Sequence, residues 1–269
     1  MKKVYPIILV LISGCMTLDG NLFNNTALTS YDLPTTVIPD SMRTQVVMTS
    51  QGKKIYGYFI RSNGTNPSFT ILYNHGNKDH LQFYWDRAGY LFKTGCNVFI
   101  YDYQGYGMSE GTPSEEGLYS DARVAYQFIR SRSDVDSTKI IFYGFSLGCA
   151  AATELAANVF TPKALILEAP FANMNTLVQS GTLLEMPSGY VMKGTYDNAE
   201  KIRRVHTPLL LMHGEGDTFL DIDKNGAVVY ANANDPKHFI RVPGANHSEI
   251  PDKMGVQNYI DTVKNFIVR

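Results

Sequence analysis

Ile140-Ile141-Phe142-Tyr143-Gly144-Phe145-Ser146-Leu147-Gly148-Cys149-Ala150-Ala151-Ala152 is the stretch that decides the fold. A short apolar run meets the pentapeptide G-x-S-x-G, and small residues follow. The run predicts a strand buried on both faces, and the small residues predict a helix packed closely on a sheet. The turn between them has to be tight. It holds the serine in strained backbone, and side chains on either flank would collide there, so glycine stands two residues before and two after. The serine is thereby presented at a helix N-terminus, where partial positive charge favours developing negative charge.

The same grammar extends in both directions. Short apolar runs occur at Phe69 to Tyr73, Val98 to Tyr101, Ala164 to Leu167, Leu209 to Met212 and Phe239 to Val242. Between them lie stretches of helix length and helical spacing, such as Tyr119 to Arg130 and Ala150 to Val159. Strand–helix alternation predicts an α/β fold with a mostly parallel sheet flanked by helices, and sites in such folds collect at the carboxyl ends of the strands. Ahead of this region, Val46 to Met48 and Ile55 to Ile60 read as two strands joined at Gln51-Gly52.

Composition agrees with one large folded domain. The chain has 269 residues, 44% hydrophobic and 18% charged, with a net charge of -1. A near-neutral balance without basic runs in the body of the chain argues against nucleic acid as a partner. No Cys-x-x-Cys and no His pair at helical spacing is present, so no metal is expected. Cys96 and Cys149 read as small core residues, and nothing in their spacing asks for a disulfide.

A nucleophilic serine needs a base. His247 lies in Gly244-Ala245-Asn246-His247-Ser248, just past the last apolar run, where a histidine can reach Ser146. His80, His206 and His238 lack such a position, and His75 reads as a support under its loop. The base needs an orienting acid that fixes its tautomer. Leu209 to Met212 leads into His213-Gly214-Glu215-Gly216-Asp217, and Asp217 is the candidate. Glu215 is its nearest rival, with Asp221 and Asp223 behind. The order serine, acid, histidine is the one used by strand–turn–helix hydrolases. An oxyanion hole would come from the amide of Leu147, after the nucleophile, and that of Asn77, in His75-Gly76-Asn77 after the Phe69 strand. Asp102, in Tyr101-Asp102-Tyr103-Gln104-Gly105-Tyr106-Gly107, is either an alternative acid or a carboxylate that fixes its loop.

The extreme N-terminus has its own grammar. Lys2 and Lys3 precede a short apolar run, Val4 to Ile12, that ends in Leu11-Ile12-Ser13-Gly14-Cys15. The run is too short to span a bilayer, and the string resembles the lipobox of bacterial lipoproteins. Residues 1–14 would then be a signal peptide, Cys15 the lipidated membrane anchor, residues 15–42 a tether and residues 43–269 the folded domain. By the same resemblance, Met16 after the cysteine favours the outer membrane of the cell envelope.

Taken together, H-G-N, Y-D-Y-x-G-Y-G-x-S-x-G, G-F-S-L-G, H-G-x-x-D and G-x-N-H occur in order over residues 43–269. This set resembles the α/β-hydrolase superfamily. It is most similar to the serine-aminopeptidase-like branch that includes Bem46-type proteins and mammalian depalmitoylating thioesterases. The resemblance implies a cofactor-free serine hydrolase of esters or thioesters, with a small-molecule or acyl substrate. A peptidase is the rival enzyme reading, with Glu168 and Glu185 as loose candidates for holding a substrate amino group. A surface lipoprotein that binds without turnover is the rival from another class. Fewer than forty residues separate Pro170 from Pro208, which implies a small cap. There Leu183, Leu184, Met186, Tyr190, Val191 and Met192 would either line an acyl wall or pack one short helix.

Overall fold

The computed structural model describes residues 22–62, 64, 66–180 and 194–268. In chain order the strands are β1 (Asn24–Asn25), β2 (Arg43–Ser50), β3 (Lys53–Ile60), β4 (Thr70–Asn74), β5 (Lys78–Asp79), β6 (Asn97–Tyr101), β7 (Ile140–Phe145), β8 (Ala164–Glu168), β9 (Leu209–Gly214) and β10 (Lys237–Val242). The helices are α1 (Trp85–Phe92), α2 (Glu115–Ser131), α3 (Gly148–Asn158), α4 (Met174–Ser180), α5 (Asn198–Lys201), α6 (Gly226–Asn232), α7 (Ile250–Met254) and α8 (Val256–Ile267).

Eight strands form one sheet in the order β10-β9-β8-β7-β4-β6-β3-β2. All neighbours are parallel from β10 to β6, and β3 and β2 close the sheet as an antiparallel hairpin. The hairpin turns at Gln51 (φ 48°) and Gly52 (φ 75°), the doubly left-handed geometry that matches the strand twist.

The period of two along each strand splits the core between the faces. Leu72, Phe142, Leu165 and Leu211 pack with α2 and α3 on one side. Ile71, Ile141, Ile166 and Leu210 pack with α1 and α8 on the other. Helix α3 is buried around its first two turns, and its alanines let it sit close to the sheet. Helix α2 starts on Ser114, whose side chain accepts from the Gly117 amide, with Glu115 and Glu116 in its positive first turn.

Two expectations change. Phe239 to Val242 reads as a strand covered on both faces, but β10 is the sheet edge and only Val242 of it is fully buried. An apolar run cannot say which strand ends the sheet. Residues 15–42 read as a tether, yet from Leu22 onward the chain is bound to the domain. Phe23, Leu33 and Ile38 are buried, β1 pairs in parallel with β5, and Tyr31 donates to Asp102. Apolar residues set singly among Asn, Thr and Pro show no period, so their burial is not readable locally.

Cys96 and Cys149 are free and fully buried, and burial pushes both thiols up, that of Cys96 to about 11. A thiol reagent such as dithionitrobenzoate is therefore expected to label neither Cys96 nor Cys149 in the native protein and both after unfolding, as mapped by peptide mass, which keeps them apart from Cys15. Rapid native labelling of either would contradict this packing.

Candidate active site

Ser146 sits between β7 and α3 with φ +52°, a left-handed conformation that a non-glycine residue holds only when its surroundings force it. Those surroundings are visible. A Cβ on Gly144 would meet the Gly148 oxygen at 2.5 Å and the Cys149 Cα at 2.6 Å. A Cβ on Gly148 would meet the Asn74 oxygen at 2.0 Å. The elbow is pinned by the Ser146 amide, which donates to the Glu168 carbonyl at 2.9 Å.

His247 and Asp217 come to this serine from loops after β10 and β9. His247 Nε2 lies 2.8 Å from Ser146 Oγ, and His247 Nδ1 lies 2.8 Å from Asp217 Oδ2. With Asp217 as acceptor, the imidazole carries its proton on Nδ1 and leaves Nε2 free to accept from the serine hydroxyl. Ser146 and Asp217 are buried, His247 is half-buried, and Phe145 and Phe219 flank the ring. The two loops are stitched together. The Gly216 amide donates to the Ala245 carbonyl at 3.0 Å, and Asn246 Oδ1 accepts from the Thr218 amide at 3.1 Å and the His247 amide at 2.8 Å. A Cβ on Gly214 would meet the Ala245 oxygen at 2.2 Å, so this glycine permits the close approach.

Burial by itself would raise the Asp217 carboxyl; hydrogen bonds from His213 and His247 and from the Leu220 amide outweigh it and hold the group well below the usual carboxylate range. His213 is a partner the sequence reading passed over. Its Nε2 stands 2.9 Å from the Leu220 carbonyl and 3.2 Å from Asp217 Oδ2, the same oxygen that faces His247. The H-G-x-x-D spacing carried that signal, since a histidine four residues before the acid can fold back on it. The rival acids are elsewhere: Glu215 and Asp223 pair with Arg241 at the surface, and Asp221 Oδ1 accepts from the Asp223 and Lys224 amides of its own turn.

Asn77 lies on the wall of the cleft that contains Ser146 and His247. Its side chain is fully engaged, with Nδ2 donating to the Leu22 carbonyl at 2.7 Å and Oδ1 accepting from the Tyr106 hydroxyl at 2.7 Å. The backbone amides of Asn77 and Leu147 have no acceptor among the described residues, as a pair of oxyanion donors requires. The loop below is held by the Y-D-Y-x-G-Y-G segment. Tyr103 donates to the His75 carbonyl at 2.7 Å, and Asp102 accepts from the Leu81 amide at 2.6 Å and the Tyr31 hydroxyl at 2.5 Å. Asp102 is thus a loop-fixing carboxylate. His75 is wholly buried between Tyr84 and Tyr103, its Nε2 3.1 Å from Asp102 Oδ1 without the alignment of a hydrogen bond.

A second buried cluster supports the histidine loop and was not legible. Glu168, at the end of β8, is wholly buried; it pairs with Arg87 of α1 and accepts from the Tyr143 hydroxyl and, at 2.9 Å, from the Tyr259 hydroxyl. Arg87 also donates to the Ser248 carbonyl at 3.2 Å, one residue past His247. Glu185 and the apolar residues from Leu183 to Met192 lie outside the described residues, as does Cys15.

Comparison with known proteins follows this geometry. A family model described as serine aminopeptidase, S33, matches residues 65–189. Alpha/beta hydrolase domain-containing protein 17B of Homo sapiens is 31% identical over 237 residues, which cover 85% of this chain and 76% of that protein. This chain belongs to the α/β-hydrolase family. A second relative of this hydrolase, the uncharacterized protein YfhR of Escherichia coli K12, is 30% identical over 223 residues, 81% of this chain and 77% of YfhR. Among solved structures, an esterase of Pyrococcus furiosus superposes on the hydrolase with a TM-score of 0.74 at 18% identity, covering 92% of this chain and 97% of the esterase. That likeness is one of fold.

Proposed function

We propose that this α/β hydrolase cleaves carboxylic esters or thioesters through an acyl-enzyme on Ser146, with His247 as general base and Asp217 as its orienting acid. The observation that carries the reading is the unbroken line from Asp217 Oδ2 through the imidazole to Ser146 Oγ, with both gaps at 2.8 Å. Ser146 Oγ attacks the acyl carbonyl carbon, and its proton passes to His247 Nε2. Asp217 stays ionised and stabilises the imidazolium. The Asn77 and Leu147 amides hold the oxyanion. Collapse expels the alcohol or thiol, which takes the proton from His247, and a water repeats the sequence to release the acid.

Of the two candidates for holding a peptide substrate's ammonium, Glu168 is wholly buried and occupied by Arg87 and two tyrosines, and Glu185 lies outside the described residues. The lipid anchor at Cys15 and an outer-membrane location belong to the same proposal and rest on Leu11 to Cys15 and Met16.

A fluorophosphonate probe tests the mechanism. The folded protein is expected to take up one probe, located at Ser146 by peptide mass, and to lose hydrolysis of p-nitrophenyl esters in proportion. Native protein that stays unlabelled, or labelling at another serine with activity lost, would overturn it.

A further inference from the structure

The segment leading into the domain does more than pass over its surface. Residues 22–28 run between the Asn77 loop, which offers a proposed oxyanion amide, and the loop of residues 105–107 that supports it. On one side Asn77 Nδ2 donates to the Leu22 carbonyl at 2.7 Å, the Thr26 amide donates to the Asp79 carbonyl at 3.0 Å, and Thr26 Oγ1 donates to Asp79 Oδ1 at 2.9 Å. On the other, Asn25 Nδ2 donates to the Gly105 carbonyl at 2.6 Å, the Gly107 amide to the Thr26 carbonyl at 2.9 Å, and the Leu28 amide to the Gly107 carbonyl at 2.8 Å. Phe23 is buried edge-on against Tyr106, the tyrosine that also holds Asn77. A paired strand of two residues has little stability of its own, so this strap stays in place through its bonds to the two loops.

Two of its apolar residues, Leu22 and Phe23, line the cleft of the site. The cleft over Ser146 and His247 has a volume of about 690 Å³ and is lined by Leu22 and Phe23 together with Tyr84, Tyr90, Phe145 and Phe219. Arg87 on its wall is committed to Glu168, which leaves Lys78 beside Asp86 and Asp252 as the charged groups of the lining. The apolar side chains of this lining suit an uncharged, apolar portion of a substrate. The strap lies upstream of residues 65–189, the span shared with the family model.

We infer that Leu22 and Phe23 are specificity-determining residues: the N-terminal strap supplies one wall of the subsite that receives the apolar arm of the ester. This rests on the proposed function, since the arm is placed relative to an acyl carbon at Ser146. Each methylene seated against the wall adds hydrophobic free energy, so removing the wall penalises long substrates more than short ones.

The test compares the full chain with its Leu22→Ala/Phe23→Ala variant on p-nitrophenyl acetate and octanoate. The octanoate-to-acetate ratio of kcat/KM is expected to fall about tenfold, mostly through KM, a change of ~1.4 kcal/mol. Leu22→Met/Phe23→Leu, which keeps the wall apolar, should restore most of the ratio. A second arm removes turnover: in a Ser146→Ala background, calorimetric affinity for octanoate ester should weaken about tenfold when the wall is truncated. An unchanged ratio, an unchanged affinity, or no octanoate binding by the untruncated Ser146→Ala protein overturns the inference. Wild-type protein that binds the ester without cleaving it would instead sink the hydrolase reading, while the binding arm still decides the wall.

Discussion

Ser146→Ala is expected to lower kcat for ester hydrolysis by about four to six orders of magnitude, leaving a remnant from binding and the oxyanion donors. The hydroxyl oxygen is the only heavy atom lost. Ser146 is held at φ +52° by the packing of Gly144 and Gly148, so alanine takes the same backbone and the elbow should persist. Melting temperature should therefore stay near that of the wild type. Adding His247→Ala to this variant should reduce the remnant little further, because a base 2.8 Å from a missing hydroxyl has nothing to deprotonate. Steady-state kinetics on one ester across wild type, both single variants and the double variant decide the matter. Additive losses, or an alanine variant that keeps a tenth of the activity, would place the nucleophile elsewhere.

Arg87→Met should be the most destabilising change at the site. Glu168 is wholly buried and the Arg87 side chain nearly so, so removing the cation leaves a carboxylate among two tyrosines with its charge uncompensated. Breaking one side of a buried pair costs about 3–5 kcal/mol, whereas replacing both sides costs far less. Arg87→Met/Glu168→Gln should accordingly recover much of the loss in guanidinium unfolding. Single and double variants of equal, wild-type-like stability would show that the pair contributes little. The activity of the single variant should fall as well, since Arg87 also donates to the Ser248 carbonyl beside His247. Methionine fills similar volume but offers that loop no donor.

The two predictions draw on information of different kinds. The elbow is a local steric object: strand, left-handed serine, two small neighbours and a helix start are all written within a few consecutive residues. Asp217 and His247 were legible because each follows an apolar run whose carboxyl end lies at the same end of the parallel sheet as Ser146. The Arg87–Glu168 pair spans 81 residues and the Tyr259–Glu168 bond spans 91. No spacing rule relates those positions, and Glu168 alone read only as a loose candidate for holding a substrate amine.

From sequence alone came the sheet and the elbow, because sterics and periodicity act over a few neighbouring residues; the order of serine, acid and histidine and the two amides proposed for the oxyanion came from the resemblance to α/β-hydrolases. Tertiary structure alone decided that Glu215 and Asp223 face Arg241, that His213 shares Asp217, that β10 is an edge, and that Leu22 and Phe23 line the cleft. Each of these depends on which distant segments the folded sheet brings side by side, and burial and pairing across the fold leave no periodic trace in the chain.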